Sequence, residues 1–138
     1  MLEILQEAFG QVINDTMQME LECGEAELNL GYLSNIEMIY ENQSRLKVTF
    51  VCSKEFLALM ALQMLGDDDP DDLTLRDLSQ EIANLTVGLS KVLAIKEGIS
   101  FNISTPNIFG MGEFSTKECK SLNFRVANTS CSLYLHNF

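Results

Sequence analysis

Apolar residues recur at three- and four-residue steps through residues 2–19, where Leu2, Leu5, Phe9, Val12, Ile13 and Met17 fall on one side of a helix. Gly24 closes that region. From Tyr32 onward the period is two, with Ile36, Met38 and Tyr40 alternating with Asn35, Glu37 and Glu41. Asn42, Gln43 and Ser44 suit a turn, after which Leu46, Val48, Phe50 and Cys52 resume the alternation. This pattern predicts a hairpin with one buried face. Just before it, Ala26, Leu28 and Leu30 alternate with Glu27 and Asn29, which predicts a short strand over 26–31.

Ser53 is placed to cap a second helix running to about Leu65, with Phe56 as its third helical residue. The run Gly66-Asp67-Asp68-Asp69-Pro70-Asp71-Asp72 interrupts the pattern, and a third helix follows from about Leu73 to Glu97, capped by Gly98. Alternation then returns in short sets: Ile99, Phe101 and Ile103 up to Pro106; Leu122, Phe124 and Val126; and Cys131, Leu133 and Leu135. Gly110 and Gly112 mark a bend or bulge in a strand around Phe109. The order is helix, hairpin, two helices, then strands, without regular strand–helix alternation. The expected class is therefore α/β, with three helices packed on one face of a mostly antiparallel sheet of about six strands.

A chain of 138 residues that is 46% hydrophobic can fill one core, so residues 1–138 are expected to form a single domain. The net charge of -11 argues against nucleic acid and anionic membranes as partners, since phosphate would be repelled. Residues 1–10 carry Glu3 and Glu7 but no Lys or Arg, unlike a signal peptide, and the apolar run Phe56 to Leu65 is too short to span a bilayer. A cytoplasmic location is expected, and the sequons at Asn42, Asn84, Asn102 and Asn128 then carry no meaning. Cys23, Cys52, Cys119 and Cys131 show no CxxC spacing and read as buried free thiols. The five aspartates of 66–72 lack the spacing and terminal Glu of a calcium loop, so no metal is assigned to them; they read as a solvated loop whose charge suits the next helix N-terminus.

The third helix carries the candidate chemistry. At about 100 degrees per residue, Leu78, Ile82, Leu85, Leu89, Val92 and Leu93 fill one sector, which is expected to be buried. Asp77, Glu81, Asn84 and Gly88 form a narrower stripe about a quarter-turn away. A solvated edge is the ordinary meaning of such a stripe. Asn84, however, is a mediocre helix former in mid-helix, and Gly88 costs about 1 kcal/mol there relative to Ala, so a packing or docking reason is implied.

Asp77, three residues, Glu81, two residues, Asn84, and then Pro106 twenty-two positions on resemble the motif of the CheC, CheX and FliY chemotaxis phosphatases, closest to single-motif CheX-like proteins. Gly88, four after the Asn, and Gly110, four after the Pro, extend the similarity, as does the order of elements. The resemblance implies a protein phosphatase that hydrolyses the aspartyl phosphate of a CheY-like response regulator. By similarity, Asn84 would orient the attacking water and Glu81 would pair with the regulator's active-site lysine. Asp77 and Gly88 would serve docking, and Pro106 would shape a nearby turn. The protein would need no cofactor of its own, since the regulator holds magnesium, and a homodimer is implied.

The single His136 sits beside the C-terminus and reads as a solvated strand residue, leaving no Ser-His-Asp or Cys-His nucleophile set. Glu7, Gln11 and Asn14 repeat the spacing of Asp77, Glu81 and Asn84, but Gln11 replaces the acid and Ile36 stands where the proline would be. They read as a decayed repeat or a coincidence rather than a second site. The alternative function is a non-catalytic interaction module of the same fold, docking a regulator or a flagellar switch component. A small-ligand domain has little support, because no phosphate-binding glycine loop is present.

Overall fold

The structure, a computed structural model, describes residues 1–137. Three helices, α1 (Leu2–Met17), α2 (Lys54–Leu65) and α3 (Asp72–Ile95), cover one face of a seven-stranded sheet. The strands are β1 (Glu22–Cys23), β2 (Leu30–Tyr40), β3 (Arg45–Cys52), β4 (Phe101–Ile103), β5 (Asn107–Glu113), β6 (Lys120–Val126) and β7 (Thr129–Asn137). They run in the order β1-β6-β7-β3-β2, and β4 and β5 lie along different stretches of the far edge of β2. All described pairings are antiparallel. The class is as expected, with one strand more than the sequence indicated.

The helix ends follow local chemistry. Ser53 accepts a hydrogen bond from the Phe56 amide at 3.0 Å, and Gly66 closes α2 in the left-handed region. α1 stops at Met17, two residues short of its expected end, because Gln18 turns left-handed (φ 53) and its amide bonds the Asn14 carbonyl. The period-two residues face the helices: Tyr32, Ile36, Met38, Val48, Phe50, Cys52, Cys131 and Leu133 are all buried. Phe9 of α1 sits at the centre, with ring centroids 5.1 Å from Phe124 and 6.4 Å from both Phe50 and Phe56. One side chain thus links α1 to α2, β3 and β6, and burying such a ring contributes roughly 1.5–3 kcal/mol.

Two sequence expectations need correction here. Residues 26–29 form no strand; the segment crosses the outer face of the sheet, where Ser132 Oγ accepts from the Leu28 amide and Tyr134 Oη donates to the Leu28 carbonyl. Side chains hold the Leu28 backbone, and the Asn29 carbonyl accepts from the Phe114 amide just before β2 begins, so the segment forms no strand of its own. The strand before β2 is instead the two-residue β1, paired with β6. The cysteines also divide. Cys52 and Cys131 are buried cross-strand neighbours with sulfurs 3.2 Å apart, and burial pushes the Cys131 thiol well up. Cys23 is exposed and Cys119 half-buried, because both fall on short segments near the sheet margin. All four are free thiols.

Candidate functional site

Several contacts fix α3 at its first turn. Asp71 caps it by accepting from the Thr74 amide at 2.8 Å, and that bond holds the Asp71 carboxyl below the usual range. Asp72 Oδ1 accepts from Tyr32 Oη of β2, and Asp72 Oδ2 accepts from Arg76 Nε, both at 2.7 Å. The Tyr32 hydroxyl first, then the Arg76 guanidinium, lower the Asp72 carboxyl. Arg76 in turn lies over Gly110 of β5, where an added Cβ would come within 2.7 Å of the guanidinium. Gly110 also holds φ 70, and the pairing of β5 with β2 slips by one residue between Leu33 and Ser34, so the bulge lies where the glycines placed it. The acidic loop therefore supplies a cap and a pin for this helix, and Asp67 Oδ1 closes the turn by accepting from the Asp69 amide.

The buried face of α3 differs from the expected one. It comprises Leu75, Leu78, Ser79, Ile82, Ala83, Thr86, Val87, Ser90 and Ala94, rotated away from the large-apolar sector by about 80 degrees. Leu85, Leu89 and Leu93 are only partly buried, and Val92 is 56% exposed. Small residues let the helix lie close on β2 and α1: Ser34 Oγ donates to the Ser79 carbonyl at 3.0 Å. A count of large apolar residues misses this face, because alanine, serine and threonine carry little hydrophobic weight yet fit a close approach.

That rotation leaves the stripe of Asp77, Glu81, Asn84 and Gly88 facing outward, nearly opposite the buried face rather than beside it. Asp77, Glu81 and Asn84 are exposed, and their side chains have no hydrogen-bond or ion-pair partner among the described residues. Gly88 is half-buried, but a Cβ added to it would meet nothing within 4 Å. Packing within this chain therefore does not require glycine at 88. Pro106 is half-buried in the turn between β4 and β5, two strands that α3 contacts along its flank. The structure thus puts Asp77, Glu81, Asn84 and Gly88 on one ridge and leaves Pro106 on the sheet edge beside that helix.

The ridge is convex. A concavity of about 640 Å³ opens between Met1, Leu46, Lys120 and His136, and no stripe residue lines it. Among the described residues, no group of three or more His, Cys, Asp or Glu side chains could hold a metal ion, and no helix is long and apolar enough to cross a membrane. A ridge of free carboxylates and a free amide can be inserted into a partner's site; it cannot enclose a small substrate.

Two further sequence readings meet the structure at other places. Glu7, Gln11 and Asn14 are exposed together on α1, but the position four beyond Asn14 is the left-handed cap Gln18. The helix ends where Gly88 continues α3, and Ile36 is buried in β2. His136, expected to be solvated, is half-buried, with Nδ1 4.0 Å from Cys119 Sγ, so a Cys-His neighbour pair does exist. The strands bring together residues that the sequence keeps 17 positions apart. Burial first, then the Glu118 and Glu27 carboxylates, raise the Cys119 thiol. That is the reverse of what activates a nucleophilic cysteine.

The family model described as chemotaxis phosphatase CheX matches residues 35–128. The fold is similar to that of chemotaxis protein CheX from Vibrio vulnificus, with TM-score 0.85 and 15% identity, covering 99% of this chain and 95% of that one. It is also similar to CheX of Borrelia burgdorferi, solved as a CheX-CheY-BeF3-Mg2+ complex, with TM-score 0.78, 15% identity, and coverage of 99% and 96%. Thermotoga maritima FliY follows with TM-score 0.64 and 14% identity over 97% of this chain and 86% of that one. No curated protein matches the sequence.

Proposed function

This chain belongs to the chemotaxis phosphatase CheX family, and we propose that it hydrolyses the aspartyl phosphate of a CheY-like response regulator. The observation that carries this reading is the α3 ridge, where Glu81 and Asn84 stand exposed and unpartnered on a helix pinned at its first turn. A phosphorylated regulator already holds its magnesium ion and lysine, and its hydrolysis is limited by placement of the attacking water. The Asn84 carboxamide orients that water in line. The water oxygen then bonds to phosphorus, and the bond from phosphorus to the aspartyl oxygen breaks. The water's proton passes to the phosphate, leaving a free carboxylate and inorganic phosphate. Glu81, one turn earlier, pairs with the regulator's lysine and sets the register of the helix. Asp77 extends the acidic contact, Gly88 keeps the ridge low enough for close approach, and Pro106 shapes the flanking turn. The chain supplies no cofactor, and a CheY-like partner implies action in the cytoplasm.

The same reading includes a homodimer. The open strand β5 supports it, because Phe109 and Met111 there are 55% and 48% exposed, an apolar edge that a second copy can cover. The deciding experiment is to mix the protein with magnesium-loaded, phosphorylated CheY-like regulators and follow phosphate loss. Binding without faster loss would leave an interaction module in place of an enzyme.

A further inference from the structure

The ridge on α3 continues past its polar residues. Ile95, seven residues beyond Gly88, falls on the line of Asp77, Glu81 and Asn84, and Val92, four beyond Gly88, flanks that line on the side of the leucine sector. Val92 is 56% exposed and Ile95 61%. Both are β-branched, a disfavoured choice for the exposed last turns of a helix, and the chain carries a net charge of -11. Neither helix propensity nor solubility accounts for them. Between them and Asn84 stands Gly88, with open space where its side chain would be.

We infer that Val92 and Ile95 form an apolar docking contact for the response regulator, setting its affinity while Asn84 sets its rate. The inference rests on the reading of α3 as the helix that enters the regulator's site. It specifies the partner's surface: an apolar patch about 12–16 Å from the phosphorylated aspartate, the rise from Asn84 to Val92 and Ile95 along the helix. A second copy of this chain is the less suitable occupant. Seated on Val92, one turn from Gly88, it would obstruct the polar ridge, and β5 offers it a separate apolar edge at Phe109 and Met111.

The test is a calorimetric titration of wild type and the double variant Val92→Ala/Ile95→Ala with a beryllofluoride-activated CheY-like regulator in magnesium. Thermal melts, light scattering and saturating dephosphorylation rates are run beside it. The expected result is a Kd about tenfold weaker for the variant, as fits loss of two aliphatic contacts, with the melt not lowered and the saturating rate unchanged. An unchanged Kd overturns the inference and leaves the phosphatase reading standing wherever Asn84→Ala still loses its rate. A variant that dissociates a dimer while keeping its Kd assigns the face to a second copy and also overturns it. A wild-type protein that binds no activated regulator removes both readings.

Discussion

Tyr32 Oη donates to Asp72 Oδ1 at 2.7 Å, tying the second strand to the first turn of the helix that carries Glu81 and Asn84. Burial first, then this bond, raise the Tyr32 phenol above its ordinary value of 10.0, while the same bond lowers the Asp72 carboxyl below 3.8. The phenol's contribution to stability is therefore full below pH 10 and lost as pH rises through its raised folded value. The carboxylate's contribution is present above 3.8 and lost as pH falls through its lowered folded value. Tyr32→Phe should lower Tm by a few degrees at neutral pH. The gap to wild type should narrow both above pH 10 and in acid, as read from melts across the pH range. A gap independent of pH would rule the linkage out.

Asn84→Ala should reduce acceleration of regulator dephosphorylation by roughly a hundredfold, since misplacing the water by about 1 Å costs that much. An exposed amide with no partner in the chain contributes little to the fold, so stability should stay within about 0.5 kcal/mol. Single-turnover phosphate release beside a thermal melt checks both. Full activity in this variant would sink the proposed mechanism.

Glu81→Ala should act on engagement, raising the apparent KM for phosphorylated regulator by about tenfold because a charge-assisted contact is removed. Wild-type affinity should fall with added salt more steeply than that of the variant. Equal salt slopes would show that Glu81 meets no cation.

Gly88 separates stability from docking. With nothing within 4 Å of an added Cβ, Gly88→Ala should raise stability by up to about 1 kcal/mol, the helix-propensity gain. Gly88→Leu should also fold and yet bind the regulator poorly, its side chain standing where the partner approaches. If Gly88→Leu binds as wild type does, the ridge is not the contact surface.

Phe109→Asp/Met111→Asp should convert a dimer to a monomer while the isolated chain stays folded, because both side chains are about half exposed and neither belongs to the buried core. Light scattering over a wide concentration range is the check. A wild-type protein that is monomeric throughout would end the dimer proposal.

Much of this was legible in the sequence, for physical reasons. The period-two sets of β2, β3, β6 and β7 each bury one face, and Ser53, Gly66 and Gly98 mark chain turns with residue types the backbone there requires. The spacing of Asp77, Glu81, Asn84 and Gly88 fixed their sharing of one helix face, since helical geometry alone determines it. What that face meets was decided only by the tertiary structure. The helix buries Ser79, Ala83, Thr86 and Ser90 instead of its leucine sector, because close packing on β2 favours small side chains. That choice turned the stripe fully outward and exposed Val92 and Ile95. Likewise, residues 26–29 alternate like a strand, yet the side chains of Ser132 and Tyr134 bind the Leu28 backbone on the outer face of the sheet. Local periodicity reports which faces an element offers; which of them is covered depends on neighbours that the chain brings from a hundred residues away.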